Sequence, residues 1–119
     1  MGKTGKAQIS LSAPTQSIAL NYDTLRKTVV ILRAVNHPIR EAIMEMLQEK
    51  ENMKVTDIYV KLRLEQSVAS QHLAILRKAG VVNTERQGKF IYYHLNETRV
   101  AEINQLVGDL AKNPNAQQQ

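Results

Sequence analysis

Residues 62–95 read LRLEQSVASQHLAILRKAGVVNTERQGKFIYYHL, and the succession of patterns in this stretch decides the fold. Val68, Leu73 and Leu76 recur at helical spacing in a segment expected to run from Gln66 to Ala79, and Gly80 supplies the left-handed residue that ends such a helix. Beyond it Val82, Thr84 and Arg86 alternate in side with Val81, Asn83 and Glu85. A second alternating run, Phe90 to Leu95, follows a turn at Gln87-Gly88-Lys89. Helix end, turn through Arg63 and Leu64, helix, then hairpin is the order of a winged helix-turn-helix, which offers a helix to the major groove and a wing to the flanking backbone.

Upstream of this unit, Tyr22, Leu25, Val29 and Leu32 fall three and four apart and Val35 extends the stripe, which predicts an amphipathic helix with Asn21 as its N-cap. That helix must end before His37-Pro38. Proline restricts the residue before it to extended geometry yet fits the first position of a helix, so Pro38 opens a second helix, buried through Ile39, Ile43, Met46 and Leu47. After the charged stretch Gln48 to Lys54, Thr56 is a suitable N-cap for a brief helix burying Ile58, Tyr59 and Leu62. Downstream of the hairpin, Asn96 caps a last helix in which Val100, Ile103, Val107 and Leu110 form an apolar seam. The expected architecture is mainly α with a small β-hairpin wing, in the order ααααββα. Residues 1–20 read as a flexible arm, in which Lys3 and Lys6 are more simply terminal residues than DNA contacts, and residues 112–119 as a flexible tail. The domain proper spans 21–111.

A chain of 119 residues with 43% hydrophobic content suits one domain with a modest core. Its net charge of +5 favours a polyanionic partner, because each phosphate neutralised by Lys or Arg releases counterions. The absence of cysteine excludes disulfides, thiolate metal sites and thiol redox chemistry. No run approaches the roughly 20 apolar residues of a membrane span, and the N-terminus lacks the apolar core of a secretory signal, so a cytoplasmic protein without membrane association is expected. No phosphate loop, nucleophile with an evident base or metal constellation suggests an enzyme or a cofactor.

Taken together, Asn36-His37-Pro38-Ile39-Arg40, Gln66-Ser67-Val68-Ala69-Ser70-Gln71-His72-Leu73, Leu76-Arg77-Lys78-Ala79-Gly80-Val81-Val82, Gly88 and Tyr92-Tyr93-His94-Leu95 resemble the ArsR/SmtB family of bacterial winged-helix repressors. The resemblance covers roughly Leu32 to Leu95. It implies a homodimer on a palindromic operator, blocking transcription until an inducer loosens it, and places base contacts at Gln66, Ser67, Ser70, Gln71 and His72. The chemistry of these residues suits that role: Gln pairs bidentately with adenine, Ser bonds base edges or phosphates, and small Ala69 would admit a thymine methyl. His72 has an equal claim as a scaffold residue, His37 is expected to tie the junction of the first two helices, and His94 to be a half-exposed sheet residue.

Phosphate contacts are expected from Thr56, Lys61, Arg63, Arg77 and Lys78 around the helix pair, and from Arg86, Gln87 and Lys89 at the wing tip. Glu65 is discordant there unless it caps the helix or accepts from cytosine N4. The family's metal sensors carry paired cysteines in the short helix or Asp and His in the terminal one. Here Lys54 to Ile58 holds no cysteine, and Glu97, Glu102 and Asp109 stand without histidine, so no metal is expected. The dimer seam is expected from Tyr22, Leu25, Val29, Leu32, Val100, Ile103, Val107 and Leu110. An unidentified small apolar effector has room to lodge there, although a dimer burying its core explains the same stripe. The alternative function is a winged-helix protein-interaction module without DNA binding.

Overall fold

The computed structural model describes residues 20–112. All of the expected N-terminal arm except Leu20, including Lys3 and Lys6, and all of the expected tail except Lys112 lie outside the described residues. The elements are α1 (Tyr22–Val35), α2 (Pro38–Lys50), β1 (Asn52–Lys54), α3 (Val55–Leu62), α4 (Gln66–Lys78), β2 (Val82–Gln87), β3 (Phe90–Leu95) and α5 (Glu97–Ala111). The helices α1, α2 and α5 begin where side chains satisfy free N–H groups of the first turn. The Asn21 side chain accepts from Thr24 N at 3.1 Å and Asn96 from Arg99 N at 3.2 Å. His37 caps α2 by accepting from Ile39 N at Nδ1, with Pro38 in the first turn, which is the junction role read from the sequence.

Two helix ends set the geometry of the helix-turn-helix, and both use the same pair of hydrogen bonds. At the end of α4, Gly80 (φ +77°) N–H donates to Arg77 O and Val81 N–H to Leu76 O. At the end of α3, Arg63 takes the equivalent left-handed position (φ 57°), with Arg63 N–H on Val60 O and Leu64 N–H on Tyr59 O. An arginine there costs about 1–2 kcal/mol relative to right-handed backbone, a strain that glycine would not carry. Gly80 has a second constraint. A Cβ on it would lie 3.3 Å from Nε and Nη2 of Arg99, which packs across the turn from α5.

Correction is needed at β1. The expected order ααααββα becomes ααβααββα, because Asn52–Lys54 pairs antiparallel with β3 to give a three-stranded sheet of order β1-β3-β2. Met53 sits opposite Tyr93 and is buried. Because the strand runs directly into α3, Lys54 rather than Thr56 occupies the N-cap, without a side-chain bond, and Thr56 lies inside the first turn. The hairpin register is Val82↔Leu95 through Gln87↔Phe90, closed by Gly88 and Lys89, with positive φ only at Gly88 as a two-residue turn with leading glycine requires.

The core gathers Ala34 from α1, Ile43, Met46 and Leu47 from α2, Met53, Ile58 from α3, Leu73, Leu76 and Ala79 from α4 and its cap, and Val81 and Val82 from the start of the hairpin. Truncating one of its leucines to alanine would cost about 2–5 kcal/mol. No residue of α5 is buried, and its Val100 and Ile103 only rest against this core.

Candidate nucleic-acid interface

The packing of α4 determines which of its side chains face outward. Ala69, Leu73 and Leu76 are buried, with Val68 half-buried beside them, so the opposite face carries Ser67, Ser70, Gln71, Ala74 and Lys78, with Gln66 and Arg77 at its edge. Gln66, Ser67, Ser70 and Gln71 are all exposed, and they cluster at the N-terminal end of the helix. Ala69 is fully buried and cannot meet a thymine methyl. The small exposed residue on the outward face is Ala74, which the sequence reading passed over because an alanine adds nothing to the apolar period.

His72 lies apart from that face. It is half-buried, its ring centroid is 4.7 Å from that of His37, and its Nδ1 is 3.1 Å from Nη1 of Arg40. Arginine has only donors, so Nδ1 must accept and the ring proton sits on Nε2. Burial, then the neighbouring His37 and Arg40, hold its pKa below the ordinary 6.5 and favour the neutral ring that this bond needs. The geometry is that of the scaffold reading of His72, so its expected place among base contacts is corrected.

Exposed basic residues stand on three neighbouring parts of the fold. Lys61 and Arg63 are exposed at the end of α3 and the turn, Thr56 is exposed at the start of α3, and Arg86, Gln87 and Lys89 are exposed at the wing tip. Arg86 Nη1 donates to Gly88 O at 3.3 Å, which holds the guanidinium over the turn, and Lys54 Nζ lies 4.3 Å from the ring centroid of Phe90, the first residue of β3 after that turn. Arg77 and Lys78 are exposed in the last turn of α4, about 18 Å along the axis from Gln66. They are thus separated from the N-terminal tip. Glu65 occupies the N-cap of α4 with no side-chain cap bond, which leaves its carboxylate exposed beside the same tip.

At the other end of the molecule the exposed residues change character. Tyr22, Leu25, Val107 and Leu110 are between 44% and 63% exposed, while Val29, Leu32, Val100 and Ile103 are half-buried. A cleft of about 250 Å³ between α1 and α5 is lined by Ile31, Leu32, Ile103 and Leu106 with Arg99 and Glu102 at its rim, just under the usual volume of a small-molecule site. Among the described residues, no three of His, Asp and Glu stand together as a group able to hold a metal ion, and no helix is long and apolar enough to cross a membrane.

This arrangement has close counterparts. The sequence profile described as "Bacterial regulatory protein, arsR family" matches residues 37–84, from the cap of α2 into β2. An HTH-type transcriptional regulator of Methanocaldococcus jannaschii is 37% identical over 84 residues, which cover 71% of this chain and 94% of that one. The chain belongs to the ArsR family. Among the family's other members, the transcriptional activator HlyU of Vibrio cholerae is 38% identical over 81 residues, covering 68% of this chain and 74% of that one. The crystal structure of the transcriptional repressor PagR of Bacillus anthracis matches with a TM-score of 0.61 at 36% identity, over 72% of this chain and 98% of that one. As an ArsR-family protein with a winged helix-turn-helix, the chain is a DNA-binding transcriptional regulator.

Proposed function

We propose that the protein represses transcription by occupying an inverted-repeat operator as a homodimer, with α4 of each subunit in the major groove and the wing beside it on the backbone. The observation that carries this reading is the outward face of α4: an exposed polar tip of Gln66, Ser67, Ser70 and Gln71, bordered by the basic ends of α3 and the wing and separated from the core by Ala69, Leu73 and Leu76. Gln71 pairs with adenine, Ser67 and Ser70 bond base edges or phosphate, and Ala74 takes the methyl contact first assigned to Ala69. Lys61, Arg63, Arg86 and Lys89 engage phosphates, Thr56 and Gln87 add neutral bonds to the backbone, and Arg77 and Lys78 reach phosphates further along the groove.

Self-association follows from the other end. The open apolar residues on α1 and α5, with no buried residue on α5, give each subunit a reason to cover its partner, and pairing two α4 tips about 34 Å apart matches successive major grooves. Repression is supported by the printed role of PagR, whereas HlyU bears the name of an activator, so the sign of regulation needs its own readout. A mobility-shift titration against genomic fragments at two salt concentrations, followed by transcription from the retained promoter with and without the protein, tests the whole reading. Selective retention, strong salt dependence and reduced transcript are expected. Equal, weak retention of all fragments would point to a protein-interaction module instead.

A further inference from the structure

Arg40 makes more bonds than any other side chain of the described chain, and none of them goes to a carboxylate. Its Nε donates to Ala34 O, its Nη2 to Arg33 O at 3.3 Å, and its Nη1 to His72 Nδ1 at 3.1 Å. The two carbonyls belong to the last turn of α1, the negative end of that helix dipole, and Arg40 itself lies in the first turns of α2. His72 is on α4, two residues beyond Ser70 and turned toward the inner side. One planar guanidinium therefore joins three helices, and its fork geometry fixes their relative placement in a way a lysine ammonium cannot reproduce.

We propose that Arg40 is a positioning residue for DNA reading, which holds α4 at the angle that aims Gln66, Ser67, Ser70 and Gln71 outward, and that His72 is its acceptor on α4. The inference rests on the DNA-reading role proposed for α4. His72 contacts the scaffold, and its influence on DNA passes through Arg40. A half-buried staple of this kind stabilises the fold little beyond other hydrogen bonds, but a small rotation of α4 would displace every base-reading group at its tip together.

The acceptor requires a neutral ring. The charged groups on the elements packed against α4 are Asp23, Arg26, Lys27 and Arg33 on α1, Arg40, Glu41, Glu45, Glu49 and Lys50 on α2 with the His37 ring at its cap, Asp57 and Lys61 on α3, and Glu85 and Arg86 on β2. Of these, His37 and Arg40 act on it, both adding to burial in disfavouring a proton. The unfolded chain takes up this proton near 6.5 and the folded chain only at lower pH, so the staple is intact above that window and weakens as the pH falls through it.

The test uses the full-length protein, a duplex recovered by the wild type from a randomised library, and a scrambled duplex of equal length. Affinities are measured at pH 7.5 and 5.5, at a temperature where circular dichroism shows each variant folded. Arg40→Lys keeps the charge and loses the fork, and His72→Phe loses the acceptor. Each should lower the ratio of selected to scrambled affinity by about tenfold or more at pH 7.5. His72→Asn keeps an acceptor near the Nδ1 position and carries no titratable ring. It should stay within about threefold of wild type and lack the part of the acid loss that wild type shows. Nitrogen NMR of the ring should find the His72 proton on Nε2.

The proposal is overturned if Arg40→Lys selects as well as wild type, if His72→Asn is as poor as His72→Phe, or if the ring proton is on Nδ1. A wild type that recovers no preferred duplex would instead remove the DNA-reading role itself, and the positioning role with it.

Discussion

The α4 and wing region and the α1 and α5 region expose opposite kinds of surface on the same small core. On α4 Ala69, Leu73 and Leu76 are buried and the N-terminal half of the outward face is Gln66, Ser67, Ser70 and Gln71, with Ile75 the exposed large apolar residue of that helix, whereas on α1 and α5 Tyr22, Leu25, Val107 and Leu110 stand open. The first surface is complete in one chain and suits a polar, anionic partner. The second leaves apolar side chains uncovered, and an α-helix with no buried residue gains most of its packing only when another surface covers it. On the function we propose, the contrast separates two tasks, reading bases and pairing subunits, and gives each its own helices.

The sharpest way to break this contrast is at the seam. Val107→Asp with Leu110→Asp should leave α4 and the wing intact and yield monomers in sedimentation, with operator affinity falling about a hundredfold or more as the second half-site contact is lost. Retained dimers would place the subunit interface elsewhere. Within the reading surface, Gln71→Ala should cost about 1–3 kcal/mol of discrimination at one position of each half-site, seen as a relaxed base preference in a binding-site selection, while scrambled DNA is bound as before.

Smaller effects sharpen the same picture. Replacing both Arg86 and Lys89 by Ala should weaken binding to all duplexes alike and reduce the slope of log affinity against log salt by about two, measured between 50 and 200 mM. An unchanged slope would remove the wing from the phosphates. Glu65→Ser should raise DNA affinity a few-fold and thermal stability by about 0.5–1 kcal/mol, because it replaces an exposed carboxylate that caps nothing with a hydroxyl able to cap α4. Weaker binding of that variant at cytosine-containing sites would reveal Glu65 as an acceptor from cytosine N4.

Much of this was legible in the residues because the signals were local. Asn21, His37 before Pro38, Asn96, Gly80 and Gly88 each carry a conformational or capping preference that acts within three or four residues, and each took its expected place. The strand β1 was not legible, because three residues with one apolar side chain have no period, and its existence depends on pairing with β3 some forty residues later. That strand also displaced Thr56 from its expected cap. Along α4 the crowding of apolar residues left the phase ambiguous, so Ala69, expected to face DNA, proved buried and Val68, expected to be buried, proved less so than Ala69. His72 was undecidable locally, since its partner Arg40 is 32 positions away. The polar residues at the α4 tip were expected from the family resemblance and the basic ones from their charge, and the fold supplied what the sequence could not, namely which residues of α4 lie on its outward face.

The claim on which the rest depends is that two α4 tips, held in one dimer, read paired half-sites. Sequencing the duplexes that the purified protein selects from a random library tests it most directly. An inverted repeat with half-site centres one helical turn apart, about 10–10.5 base pairs, or a multiple of that, is the predicted result. A single asymmetric motif, or no enrichment at all, would contradict it.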